Sequence, residues 1–208
     1  MWLTVVIAVL VGYLLGNLNG AVSMSVLLGK EDVRSKGSGN AGLTNFVRNF
    51  GGANAILVVL IDAGKAALSC LVTGLLLQPY GYYAEGTALG GLAVMLGHIF
   101  PALLGFKGGK GILSGLFIAL VVDWRIALII LAVFALVYFT TQYVSLASVL
   151  AAAAFSAGFA VLHYREPGVM LGGVFMGLLA IFMHRGNIRR LCSGTERKTN
   201  LFKKGKSE

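Results

Sequence analysis

Nearly every side chain able to do chemistry in this 208-residue chain falls in three short polar segments. The first is Asp32-Val33-Arg34-Ser35-Lys36-Gly37-Ser38-Gly39-Asn40-Ala41-Gly42-Leu43-Thr44-Asn45, followed by Arg48. Glycines at 37, 39 and 42 permit backbone angles closed to other residues and let amide N–H groups converge. With Ser38, Asn40, Thr44, Asn45 and Arg48 nearby, the composition suits an anion nest. An ordinary polar loop is the simpler alternative. The second segment runs Gly97-His98-Ile99-Phe100-Pro101, then Gly105-Phe106-Lys107-Gly108-Gly109-Lys110-Gly111. Four glycines around two lysines read as a phosphate cradle, although membrane anchoring also accounts for Lys107 and Lys110. A nucleotide-binding P-loop is excluded, because Gly111 follows Lys110 where Ser or Thr must stand. The third is His184-Arg185-Gly186-Asn187-Ile188-Arg189-Arg190-Leu191, then Gly194-Thr195-Glu196. His184 can carry a proton, and the arginines suit either a substrate anion or lipid headgroups. Headgroup anchoring explains Asn187 and Glu196 less well.

The rest of the chain is made to hold these segments at a membrane. It is 57% hydrophobic and 12% charged, with a mean hydropathy of +0.84. A soluble domain carries about 25% charge. Seven apolar segments stand out, at about 2–22, 54–78, 86–104, 111–122, 126–140, 144–162 and 168–184. A spanning helix needs roughly 20 apolar residues, so several are short. Asp123-Trp124-Arg125 divides 111–140 into two spans, because a charged pair beside an interfacial aromatic belongs at the membrane boundary. The stretch from Trp2 to Leu28 lacks the basic start and cleavage site of a signal peptide and is read as a retained first span.

The expected fold is therefore an all-α integral membrane bundle of about seven transmembrane helices, one domain over 1–208, with residues 197–208 a basic tail. With the N-terminus outside, loops 29–53, 105–110 and 141–143 and the tail 185–208 share one side, which holds 14 of the 17 basic residues. Basic loops stay cytoplasmic, so that side and the C-terminus face the cytoplasm. The +9 net charge thus needs no nucleic acid to explain it.

Within the spans, Asp62 and Lys65 lie three apart on one helical face and can pair. Asn17 and Asn19 suit interhelical hydrogen bonds, and Gly172-Gly173 with Gly177 suit close helix approach. Ser145 and Ser148 fall at the inner end of the sixth span, whereas His163 falls on the outer face. Cys70 and Cys192 are expected as two unpaired thiols. An anion transporter would need polar residues along a path through several spans, and few exist beyond Asp62 and Lys65.

In their residues and their order, with apolar spans between them, the three polar segments resemble the motifs of the bacterial acyl-phosphate:glycerol-3-phosphate acyltransferase family, PlsY. The matching stretches are Gly37–Asn45, Gly97–Gly111 and His184–Glu196, and the resemblance covers essentially the whole chain. It departs at Gly16-Asn17-Leu18-Asn19, where the family usually reads Gly-Ser-Ile-Pro. The resemblance implies transfer of a fatty acyl group from acyl-phosphate to the 1-hydroxyl of sn-glycerol 3-phosphate, giving lysophosphatidic acid and phosphate at the cytoplasmic face of the cell membrane. It implies catalytic roles for Ser38, His184 and Asn187, with His98 and Glu196 in support. Asn40, Asn45, Arg48, Lys107, Gly108, Gly109, Lys110, Gly111, Ser145 and Arg185 would bind substrate. His184, His98 and the substrate phosphate all remain open as proton acceptor. No cofactor or metal is implied, and the implied partners are membrane lipids and the peripheral enzyme that makes acyl-phosphate, PlsX. None of the three histidines has Asp five residues on (Leu103, Gly168 and Arg189 stand there), so the His-x4-Asp motif of acyl-CoA-dependent acyltransferases is missing.

Overall fold

A computed structural model of the chain describes residues 1–199, so Lys203, Lys204 and Lys206 of the expected basic tail lie outside the described residues. Among the described residues the structure is all-helical. Ten α-helices follow in order: α1 (Trp2–Asn17), α2 (Gly20–Leu27), α3 (Leu43–Phe50), α4 (Ala55–Leu77), α5 (Tyr83–Ile99), α6 (Ile112–Val122), α7 (Trp124–Thr141), α8 (Val144–Leu162), α9 (Pro167–Met183) and α10 (Arg185–Cys192). Three 3-10 turns lie at Val33–Ser35, Gln78–Tyr80 and Ala102–Leu104.

Burial is inverted relative to a water-soluble protein. Asn17, Asn19, Asp62, Lys65, Ser69 and Thr73 are buried, while Leu60, Leu71, Leu75, Leu128 and Phe139 face outward. Lipid reverses the usual preference, since polar groups must find partners inside the bundle. Among the described residues, four stretches are long and apolar enough to cross a membrane alone: Ala55–Tyr80 (α4 with its 3-10 turn), Tyr83–Leu104 (α5 with its 3-10 turn), α7 and α8; six spans result if the bent pairs α1–α2 and α9–α10 each count as one. At 11 residues α6 falls short of that length.

Several expected boundaries move, each for a local reason. The first apolar run is two helices bent by 44°. Asn19 breaks it by capping α2, its Oδ1 accepting from Val22 N at 3.0 Å, while Asn17 Oδ1 accepts from Leu103 N at 3.0 Å. The run expected over 86–104 starts at Tyr83 and stops at Ile99, because Phe100 precedes a proline and leaves helical geometry. The division at Asp123 is present: its backbone is extended and its carboxylate caps α7 through Arg125 N at 2.9 Å.

Small residues set the helix spacing. A Cβ on Gly97 would overlap the Tyr13 carbonyl, so α1 and α5 touch backbone to backbone. Gly173 and Gly177 likewise lie against Phe159 and Ser156 of α8, whereas Gly172 faces open space. A main core joins α4 to α9, and a smaller one seats Val33, Ala41 and Phe46 against Ala21, Val22, Met24 and Val58. That second core fixes the first polar segment to the bundle.

Candidate active site

Four segments distant in sequence meet at one end of the bundle. Arg34 Nη1 donates to the Leu104 carbonyl at 2.7 Å and the Lys107 carbonyl at 3.1 Å, tying the first polar segment to the second. Lys110 Nζ donates to Asn187 Oδ1, tying the second to the third. Thr199 closes the ring: its hydroxyl accepts from Arg48 Nη2 at 2.7 Å and its amide donates to the Gln142 carbonyl at 3.0 Å. Thr4, Tyr80, Asp123 and His163 gather at the opposite end, where Thr4 and Tyr80 hydroxyls lie 3.3 Å apart and His163 Nε2 lies 3.2 Å from Asp123 Oδ2.

The centre of the site is a chain of polar contacts. Asn187 accepts from Lys110 and donates through Nδ2 to Glu196 Oε1 at 2.8 Å, and Glu196 Oε2 receives Arg190 Nε at 2.6 Å. Burial pushes the Lys110 ammonium down to about 8, aided by the neighbouring Arg190 and Arg48 charges. Burial alone would raise the Glu196 carboxyl, but hydrogen bonds from Asn187 and Arg190 outweigh it and hold it below the usual carboxylate range. The Ser145 hydroxyl approaches Glu196 without completing a regular hydrogen bond and has no other partner among the described residues. His184 is buried at the α9–α10 bend, with Nδ1 2.8 Å from the Ala180 carbonyl. A carbonyl only accepts, so Nδ1 carries the proton and Nε2 keeps its lone pair.

The first segment is shaped from beneath by Asn45. Its Nδ2 donates to the carbonyls of Val33, Lys36 and Asn40 at 2.9–3.0 Å, and its Oδ1 accepts from Ser38 N at 3.0 Å. Asn45 is thus fully engaged in holding the Lys36–Asn40 turn. Ser38 lies exposed on that turn, and Asn40 is half-buried beside Gly42. Asp32 clamps Arg34 at 2.7 Å and the guanidinium holds its carboxyl below the usual range.

The glycine loop has a different internal logic from an open amide cradle. Gly108 N donates to the Ile99 carbonyl at 3.2 Å and Gly109 N to the His98 carbonyl at 3.1 Å, capping the end of α5. A Cβ at either position would overlap α5, so these glycines allow the loop to lie flat against it. Lys107 and Lys110 project from this base, Lys107 exposed. Gly111 has φ +85° and opens α6, whose first amides have no intrahelical acceptor and point toward the Lys110 side. Among the described residues, the two non-glycine residues with positive φ, Phe106 at 61° and Gln142 at 60°, both belong to this end.

Lys110, Arg48, Ser145, His184, Asn187 and Glu196 thus come together. Ser38, Asn40 and Lys107 rim the same end, since Ala41 abuts Gly109. Two residues stand apart. His98 is buried behind the loop against Lys65, with Nδ1 2.9 Å from Lys65 Nζ. Arg185 is exposed and lies over the Phe182 ring at 4.5 Å. Asp32 and Arg34 were not singled out by residue type, and Arg190 was left open between a substrate anion and lipid headgroups, where the structure pairs it with Glu196. The i, i+2 spacing of Asp32 and Arg34 was a usable signal, but the reach of Arg34 to Lys107 was not.

A family model described as glycerol-3-phosphate acyltransferase matches residues 6–194. Similar curated proteins include the glycerol-3-phosphate acyltransferases of Laribacter hongkongensis, 37% identical over 97% of this chain and 100% of that protein, and of Synechococcus sp., 38% identical over 100% of both. Among solved structures, PlsY, an integral membrane glycerol 3-phosphate acyltransferase in its glycerol 3-phosphate form, superposes with a TM-score of 0.84 at 32% identity, covering 96% of this chain and 99% of that one. Its lysophosphatidic acid form gives 0.81 at 31% identity over 95% and 96%. Matched along nearly its full length by sequence and by fold, the chain belongs to the glycerol-3-phosphate acyltransferase family.

Proposed function

We propose that this protein transfers a fatty acyl group from acyl-phosphate to the 1-hydroxyl of sn-glycerol 3-phosphate at the cytoplasmic face of the cell membrane. One observation carries the reading: Lys110, Asn187, Glu196, Arg190 and His184 form a single hydrogen-bonded and electrostatic cluster at one end of an apolar bundle. Two phosphorylated substrates need cations at a watery rim, while the acyl tail needs apolar helices beside them. An acyl-phosphate is a mixed anhydride with a good leaving group, so direct attack suffices. The 1-hydroxyl oxygen bonds to the acyl carbon, the carbon–oxygen bond to phosphate breaks, and inorganic phosphate departs with that electron pair. The hydroxyl proton passes to a base, for which His184 Nε2 and the substrate phosphates are the available acceptors.

Ser38, Arg48, Lys107 and Lys110 hold the anionic groups, the Lys107–Gly111 loop taking the phosphate of glycerol 3-phosphate, and Asn187 with Glu196 orients Lys110. Orientation and charge stabilisation then supply the rate enhancement. Seven spans with the N-terminus outside are supported by the chain's alternation between the two ends from α1–α2 through α9, and by the basic residues at the site end. A peripheral donor enzyme, PlsX, would deliver acyl-phosphate to that rim.

Purified protein in detergent or lipid should release phosphate when given acyl-phosphate and glycerol 3-phosphate with no nucleotide or metal added. Absence of turnover, or transport of phosphate into sealed vesicles without acyl transfer, would overturn the assignment.

A further inference from the structure

Three ionisable groups that the proposed chemistry does not use lie together inside the bundle: Asp62, Lys65 and His98 are 1%, 4% and 4% exposed. Charges at such depth require partners, and these have more than one another. Lys65 Nζ lies 2.7 Å from Asp62 Oδ1 and 2.9 Å from His98 Nδ1. It also donates to the Gly16 and Leu18 carbonyls where α1 ends, while Asp62 Oδ1 accepts the Gly20 amide where α2 begins, at 3.2 Å. Each charge therefore meets the helix terminus of opposite partial charge, and the pair clasps the break.

The cluster continues toward the site through His98. An ammonium only donates, so Nδ1 accepts and the ring proton sits on Nε2. The Nε2 edge faces Gly109, where a Cβ would overlap it, and the His98 carbonyl accepts the Gly109 amide at 3.1 Å. Asn19, at the same break, donates to the Ala41 carbonyl at 3.0 Å, and Ala41 also abuts Gly109. Two routes thus lead from one buried clasp to one loop.

We infer that Asp62, Lys65 and His98 are positioning residues that set the seat of the Lys107–Gly111 loop for the phosphate of glycerol 3-phosphate. The inference rests on the reaction proposed above. It assigns the three groups no contact with substrate, only control of where the loop lies.

The test compares His98→Phe with His98→Asn in the purified full-length protein. Asn keeps an acceptor near the place of Nδ1, and Phe keeps the ring volume without one. His98→Phe should raise KM for glycerol 3-phosphate about tenfold or more, with a smaller change in kcat, and His98→Asn should recover most of it. The shape of the kcat–pH profile should be unchanged in both. Lower thermal stability with unchanged KM in both variants would mean a merely structural role and overturn the inference. Collapse of kcat in both, with one ionisation lost from the profile, would make His98 a proton-transfer group and overturn it equally. Should His98→Phe not fold, Asp62→Asn with Lys65→Gln decides, since it removes both charges and leaves neither unpaired; unchanged KM there refutes the relay. Wild-type protein inactive with acyl-phosphate and glycerol 3-phosphate would instead remove the reaction itself, and the relay with it.

Discussion

Lys110 carries its charge in a half-buried setting, and burial with the nearby arginines brings its ammonium down to about 8. Below that pH the group is a cation able to hold a phosphate; above it the group is neutral and the attraction is gone. KM for glycerol 3-phosphate should therefore rise as pH passes upward through about 8, and Lys110→Arg, which stays charged, should flatten that rise. A pH series of initial rates checks this, and a flat wild-type profile would contradict it. His184→Ala should lower turnover by at least about 100-fold while the protein still elutes as a folded species, since a positioned proton acceptor contributes that much. Residue types at this scale were largely legible: Lys110, Asn187, His184 and Glu196 were singled out and do meet. Their pairings were not, because Lys110 and Asn187 stand 77 positions apart and local pattern carries no such information. Asn45 shows the limit differently, for its type suggested a ligand contact while its amide is engaged with the backbone of its own loop.

The helices were legible where apolar runs ended in strong signals and obscure where a polar residue interrupted a run. Asp123 separates α6 from α7 as expected because an aspartate caps the helix that follows. Asn19 does the same for α2, but inside an apolar stretch its capping role was hidden behind the assumption of one continuous span. Close helix approach makes two glycines on similar helices respond differently to one methyl group. Gly97→Ala places its Cβ on the Tyr13 carbonyl and should destabilise the protein by ~1–3 kcal/mol, whereas Gly172→Ala meets nothing within 4 Å and should be near neutral. Thermal unfolding of both variants in one detergent distinguishes them, and equal stabilities would contradict the α1–α5 contact.

For the molecule as a whole, the site end carries a native reporter. Cys192 is exposed on α10, while Cys70 is buried in the bundle. A membrane-impermeant maleimide should label the chain in inside-out vesicles and leave it unlabelled in intact cells, with Cys192→Ser abolishing the signal. Labelling of Cys192 from outside would invert the topology and refute a cytoplasmic site. The grouping of basic loops was legible because charge asymmetry is a global property, insensitive to where individual helices bend.

One dimension of the bundle bears on how an amphiphile is handled. At 11 residues, α6 rises only about 16 Å against a hydrocarbon thickness of about 30 Å. The shortfall is met by thinning of the bilayer around α6 or by drawing one of its ends, the glycine loop or Asp123, below the headgroups. With thinning, or with the glycine loop drawn inward, the donor of the proposed reaction would present its carbonyl without being hoisted from its leaflet, and the small polyol phosphate would make the longer journey, downward from water. The acylated product would then already lie at the depth of a lipid ester, free to leave sideways.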